Sequence, residues 1–341
     1  MSRLQRSICM DRRSFLTLGA AAAAWSLAPP AFAQENELAA AGAYSAERRG
    51  VSLVIMQRGR LVFEDYPNEG APDRGWELAS GTKSFCGVMA AAAVQDGLLT
   101  LDEPAAEVLT EWQGDERRRI TMRHLLSLTS GMESGRIGRP PTYADAVALH
   151  PTSAPGERFI YDSAPFQIFG EIIRRLTGGD PTAYVQRRIF DPLGVRPTQW
   201  RRGGDGNPFM PQGAHFTARD WARFGEFVLR GGDGQVDARA LAANFAPSRA
   251  NPGYGLTWWL LRDGLIPPGR RGGGVEIDVG FAQRYGGVSM AAGAGDQRLY
   301  LVPELGLVIA RQASGILRAM MGRDRGPRWS DAEFLRLVLQ E

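Results

Sequence analysis

The sequence predicts an α+β fold, an antiparallel sheet drawn from both ends of the chain and flanked by helices, with a mostly helical region inserted between them. Two hairpin signatures carry this expectation. One alternates through Val51, Leu53 and Ile55, turns at Arg58-Gly59, and resumes at Leu61, Phe63 and Tyr66. The other runs from Gln297 to Val302 and from Leu307 to Ala310 around Pro303-Glu304-Leu305-Gly306. Between them, to about Val228, the apolar spacing is helical and interrupted by Gly/Pro-rich loops. Strands at both ends with helices between them bring the terminal segments into one layered sheet. The expected division is 34–100 with 256–341 for the sheet part and 101–255 for the helical part.

Residues 1–33 read as an export signal outside the fold. Arg12-Arg13-Ser14-Phe15-Leu16 is a twin-arginine pattern, followed by an apolar run from Leu16 to Leu27 and a small-residue cleavage site at Ala31-Phe32-Ala33. The run is short and alanine-rich, which favours cleavage after Ala33 over a stable membrane anchor. The expected partner is the twin-arginine (Tat) export machinery, and the expected location is periplasmic or secreted.

The formal net charge of +3 comes largely from that segment, which holds four arginines against Asp11. The remainder is balanced and has no basic run beyond Arg117-Arg118-Arg119, which gives no support for nucleic-acid or membrane-surface binding. Cys9 leaves with the signal, so Cys86 stays alone, without an internal disulfide, and reads as a packing residue. No C-x-x-C or H-E-x-x-H pattern occurs and the three histidines are scattered. Neither a metal nor a cofactor is expected.

The first helix after the N-terminal hairpin carries the chemistry. Phe85, Val88, Met89, Ala92 and Ala93 share helical spacing, and Gly97 ends the run. Just ahead lies Ser80-Gly81-Thr82-Lys83, which contains the only lysine among 40 basic residues. Arginine stays protonated at any accessible pH, whereas a buried lysine amine can become neutral and accept a proton. A serine hydroxyl needs such a base before it is a nucleophile. A spacing of three puts Ser80 and Lys83 on one face, a turn apart, and leaves the Ser80 N–H free of intrahelical bonding, able to stabilise an oxyanion. The competing assignment makes Ser80 a helix cap and Lys83 a surface cation.

The rest of the chain is taken in order. Leu99 to Pro104 turns into the helical region, where Gly131 to Tyr143 and Arg201 to Gly213 are glycine-rich loops suited to covering a substrate, or simple connections. His124, His150 and His215 read as structural, because Ser80 already has a base. Strand character returns after Tyr254, with Trp258 and Trp259 expected in the core or, for one of them, at an acyl pocket. A closing helix is predicted from about Ser330 to Leu339.

Several ordered motifs carry a family resemblance. They are Ser80-Gly81-Thr82-Lys83-Ser84-Phe85, Gly97-Leu98-Leu99-Thr100-Leu101-Asp102, Ile120 to Gly131, Pro155 to Ser163 and Asp191-Pro192-Leu193-Gly194-Val195. Together they resemble the serine beta-lactamase-related hydrolases, and within them the 6-aminohexanoate-dimer hydrolases, related esterases and class C beta-lactamases. The resemblance implies the beta-lactamase/transpeptidase-like fold and makes Tyr161, in Tyr161-Asp162-Ser163, the second essential residue. A phenol beside a lysine ammonium would have its pKa lowered and could relay protons. Ser163 follows as a substrate-binding candidate.

In the slot of the family's third motif stands Ala291-Ala292-Gly293-Ala294-Gly295-Asp296-Gln297, which has no lysine. By the resemblance, Ala294 supplies the second oxyanion N–H, and Gly293 and Gly295 let a substrate backbone approach. Alanine and glycine offer no side-chain contact to a beta-lactam carboxylate. The expected function is therefore an exported serine hydrolase that cleaves small esters or amides through a Ser80 acyl-enzyme, with Lys83 and Tyr161 as general base and acid. Alternatives are a D-alanyl-type peptidase or weak beta-lactamase, and a sensor that acylates without turnover.

Overall fold

The computed structural model describes residues 35–135, 137–268, 279–323 and 326–340. The predicted export signal and its cleavage site lie outside the described residues. The described residues all fall within one compact unit.

The two hairpins form as their alternation requires. β1 (Gly50–Gln57) and β2 (Arg60–Asp65) make the first, and β8 (Gln297–Val302) and β9 (Leu307–Ala313) the second. With β6 (Trp259–Leu261) and β7 (Val288–Gly293) they build a six-stranded antiparallel sheet in the order β2-β1-β9-β8-β7-β6. The N-terminal strand thus pairs with the last one. A single row of directly opposed residues, Ile55, Ile309, Tyr300, Met290 and Trp259, runs across five strands. Opposed residues share a face, so this row fixes where Trp259 arrives.

β8 and β9 are buried along their whole length, because helices cover both faces of the sheet. On one side Phe334, in the C-terminal helix Asp331–Leu339, stacks on Tyr300 at 5.9 Å and packs beside Tyr44 of α1 (Glu35–Glu47). Ser330 caps the C-terminal helix by accepting from the Glu333 N–H. On the other side a Cβ placed on Gly225 would lie 2.7 Å from Val308 and 3.1 Å from Leu299, so the helix that carries it sits directly on the strands.

The middle of the chain supplies α2 (Lys83–Gln95), α3 (Met122–Leu126), α4 (Tyr143–Ala148), α5 (Ala164–Thr177), α6 (Pro181–Val185), α7 (Asp191–Leu193), α8 (Ala218–Leu229) and α9 (Ala238–Ala243). α8 is the helix that bears Gly225. It falls within the 101–255 stretch and packs on the sheet. Three short strands also interrupt the helices: β3 (Trp76–Glu77), β4 (Gln199–Trp200) and β5 (Ala214–Phe216), in the order β3-β5-β4. Strands of two or three residues have no alternation to detect.

The small sheet delivers the chain to Ser80. After Trp76 pairs with Phe216, the Leu78 N–H donates to the Ala214 carbonyl at 3.0 Å, and Ala79 then turns at a φ of +45°. An alanine held there costs about 1 kcal/mol, a strain that redirects the chain from strand to helix.

Candidate active site

The helix proper begins at Lys83, and Ser80 stands just before it in a 3-10 turn, Ala79–Thr82. Such a turn has three residues per revolution, so positions i and i+3 eclipse. Lys83 Nζ accordingly donates to Ser80 Oγ at 3.0 Å and, on its other side, to the Pro211 carbonyl at 3.0 Å. Lys83 is only 2% exposed. Its Nζ lies 5.0 Å from the centre of the Tyr161 ring and 5.3 Å from that of Phe166. Burial among these rings drives the amine down to about 7, with Asp162 pulling part of the way back. A sizeable fraction is therefore neutral at physiological pH and can take the serine proton.

Tyr161 lies near enough to Ser80 for that hydroxyl to favour its ionised form, so both predicted partners come to the candidate nucleophile. Its acidity departs from the sequence expectation. Burial pushes the phenol up to about 12, and the Ser80 hydroxyl and the charge of Arg298 offset only part of that. The expected lowering needed a charged lysine beside it, and the lysine here is itself shifted toward its neutral form. Tyr161 is thus a proton donor at rest. Its ring stacks on Trp259 at 5.6 Å and meets Tyr254 edge-on at 6.4 Å, which fixes its orientation.

The turn after β7 packs on the segment that leads to Ser80. A Cβ on Gly293 would fall 2.1 Å from the Leu78 carbonyl oxygen. Glycine is needed there because the chain's own backbone passes, two residues before Ser80. Gly295 is buried, has a φ of +72°, and would place a Cβ 2.8 Å from Ile316 Cα. Both glycines, assigned from sequence to substrate approach, seat the turn against neighbouring backbone. Ala294 between them is half-buried. Among the described residues, neither its N–H nor that of Ser80 has an acceptor. Two unpaired donors beside one nucleophile match what an oxyanion requires.

Ser163 does not face the cleft. It is fully buried, and its hydroxyl donates to the Ile137 carbonyl at 2.8 Å, tying the 131–143 loop to the start of α5. The neighbouring Asp162 carboxylate accepts from Ser134 Oγ at 2.9 Å and from the Gly135 N–H at 3.1 Å, holding the same loop.

Three supporting groups carry no local signal. The Pro211 carbonyl reaches Lys83 from 128 residues away. Trp259, expected in the core or at an acyl pocket, gives no sequence signal that it stacks on Tyr161. Arg298 is 2% exposed, bonds Asp331 through Nε at 2.7 Å, and grips the carbonyls of Gly293 and Gln297 at 3.2 and 3.1 Å, one at each end of the turn that holds Ala294. A buried arginine in a strand could have flagged it, had burial been known.

Buried Cys86 points Sγ at the Met210 carbonyl, 3.6 Å away, and its thiol is pushed up to about 12 by burial. His124 closes a capping box with Thr121, His150 pairs with Glu116 at 3.2 Å, and His215 Nδ1 lies 3.3 Å from the Gly213 carbonyl. No group of three or more His, Cys, Asp or Glu side chains suited to a metal occurs among the described residues. A cavity of about 800 Å³ between α8, α9 and β6, lined by Leu241, Phe245 and Leu260, includes none of the reacting groups.

Comparison with known proteins agrees with this geometry. The family model described as Beta-lactamase matches residues 36–315. Protein flp of Staphylococcus aureus (strain NCTC 8325 / PS 47) is 23% identical over 174 residues, which cover 45% of this chain and 35% of flp. The match thus spans about a third of that relative's length. Lovastatin esterase of Penicillium rubens is 32% identical over 155 residues, 36% of this chain and 39% of the esterase. The solved beta-lactamase of Mycobacterium bovis superposes with a TM-score of 0.63 at 21% identity, over 89% of this chain and all of that one, a likeness of fold. With most of its length inside the family match, and with a serine, a lysine and a tyrosine meeting at one cleft, the chain belongs to the beta-lactamase family of serine hydrolases.

Proposed function

We propose that the protein hydrolyses small esters or amides through an acyl-enzyme on Ser80. The observation that carries this is the 3.0 Å contact between Ser80 Oγ and an amine whose pKa is brought down to about 7. Neutral Lys83 takes the Ser80 proton as Oγ attacks the substrate carbonyl, and the N–H groups of Ser80 and Ala294 receive the oxyanion. Tyr161 then donates its proton to the leaving group. That leaves an ammonium on Lys83 and a phenolate on Tyr161, which stabilise one another across a low-dielectric site. The phenolate removes a proton from water, hydroxide attacks the acyl carbonyl, and Ser80 departs while recovering its proton from Lys83. Every group ends as it began.

The substrate assignment rests on the third motif. Arg49 is bound to Asp296 at 2.8 Å and Arg298 to Asp331 at 2.7 Å, so the cations nearest that turn are already engaged and do not offer themselves to a substrate carboxylate. A neutral ester or amide needs no such contact. The twin-arginine pattern supports export to the periplasm or beyond, with cleavage after Ala33. The test is hydrolysis of p-nitrophenyl butyrate and of a chromogenic cephalosporin by the protein and by Ser80→Ala and Lys83→Arg. Steady ester turnover, poor cephalosporin cleavage and two inactive variants are expected. Preference for the cephalosporin would move the assignment to a beta-lactamase, and one burst without turnover would make the protein an acylated sensor.

A further inference from the structure

Four large apolar side chains stand in solvent on two segments that adjoin the site: Ile137 at 42% exposure, Leu317 at 70%, Met320 at 53% and Met321 at 60%. Their position follows from contacts already at the site. The Ile137 carbonyl holds Ser163, and the Gly138 carbonyl accepts from Gln212, the neighbour of Pro211, at 3.3 Å. The short helix Ile316–Met320 starts against Gly295, and its last residue reaches the loop, with Met320 Cε 3.3 Å from where a Gly138 Cβ would stand. Loop and helix therefore meet beside the site, one next to the Tyr161 segment and the other next to the Ala294 turn.

Arg139, Arg318 and Arg323 stand exposed on the same two segments, with no acidic partner among the described residues. The chain's balanced overall charge conceals this local excess. An apolar patch is uncommon on a soluble surface and marks a contact site, and arginines around it point to an anionic, amphiphilic counterpart. A second copy of the chain fits poorly, because a two-fold contact would oppose these arginines to themselves.

We propose that this rim seats the cleft on an anionic lipid–water interface, from which the Ser80 site draws its ester substrate. The docking rests on the rim alone, and the identity of the substrate rests on the function proposed above. Ile137, Leu317, Met320 and Met321 would enter the headgroup layer while the three arginines meet lipid phosphates.

The test is co-sedimentation of the protein with phosphatidylglycerol/phosphatidylcholine vesicles and with phosphatidylcholine alone. Leu317→Glu/Met320→Glu and Arg318→Glu/Arg323→Glu are run beside it, and p-nitrophenyl acetate turnover is the internal control. At about fivefold per arginine, binding to the anionic vesicles should be roughly 100-fold tighter than to the neutral ones, and salt should weaken it. Either double variant should bind at least about tenfold more weakly with acetate turnover unchanged. Equal binding to both vesicles, no binding, or variants that bind like the parent would overturn the docking. A dimer in light scattering that Leu317→Glu/Met320→Glu dissolves, with no vesicle binding, would overturn it in favour of self-association. Vesicle binding without any acetate turnover would leave the docking intact and count against the Ser80 chemistry.

Discussion

Trp259 stacks on Tyr161, with ring centroids 5.6 Å apart and planes 26° from parallel. One residue comes from the edge strand of the sheet and the other from the loop that enters α5, so this pair joins the two halves of the site. Trp259→Ala removes the platform and should cost about 3–5 kcal/mol of stability along with most of the activity. Trp259→Phe should keep a face for the phenol and recover much of both. Denaturant midpoints and ester turnover measured on the two variants check this.

The depressed Lys83 amine fixes the direction of the pH dependence. Below about 7 the amine is charged and cannot act as a base, so kcat/KM should rise through that pH as the neutral form accumulates. Stability follows the same group. Below about 7 it is charged in the folded and unfolded chains alike, and the folded state bears the whole cost of burying an ammonium. As pH rises toward the ordinary lysine value of 10.5 the folded chain holds no proton there while the unfolded chain still does, and the cost fades. Lys83→Met should therefore be inactive yet more stable, by about 1–3 kcal/mol at pH 6 once the lost bond to Pro211 is deducted, with a smaller gain at pH 9. Thermal unfolding at the two pH values is the measurement.

Tyr161 titrates far above the working range. Its phenol, at about 12, predicts a pH profile with one ascending limb and no descending limb before pH 10. Tyr161→Phe keeps the stacked ring and removes the proton, and should lower kcat by about 100- to 10,000-fold with little change in stability. An intact kcat in Tyr161→Phe would assign leaving-group protonation to Lys83 alone.

The role proposed for Ala294 belongs to its backbone N–H, so only a change to the backbone tests it. Ala294→Pro deletes the N–H and should reduce kcat by about 100- to 1,000-fold while KM moves little. Ala294→Ser keeps the donor and should stay active. Equal activity of the two variants would place the second oxyanion donor elsewhere.

Arg298 and Asp331 support that turn from beneath, and both are buried. Arg298→Met leaves the Asp331 carboxylate without its cation and should cost about 3–5 kcal/mol. The double variant Arg298→Met/Asp331→Leu should recover most of that loss but little of the activity, because the Gly293 and Gln297 carbonyls lose their clamp. Stability and turnover moving together in the double variant would reduce Arg298 to a structural role.

Much of this was legible in the chain because the signals are local. The β1/β2 and β8/β9 hairpins announce themselves through alternation and turn residues. The pairing of Ser80 with Lys83 follows from a spacing of three, whether the backbone there is α-helical or, as found, 3-10. The three-residue β5 has no periodicity to detect, and the 79–82 segment needed a φ of +45° that no propensity predicts for alanine. The contacts of Ser163, Gly293 and Gly295 were not legible because each depends on what lies opposite it: the Ile137 carbonyl, Leu78 and Ile316.

By itself the sequence determined the class of fold and singled out Ser80 and Lys83 as candidate nucleophile and base, since these rest on residue type and short-range spacing. Only the tertiary structure decided how the groups behave. The pKa of Lys83 is set by the Tyr161 and Phe166 rings around it, and the proton on Tyr161 by burial. The reach of Ala294 depends on an arginine anchored in the last helix. Desolvation and long-range contact belong to the packed chain, and no stretch of sequence holds them alone.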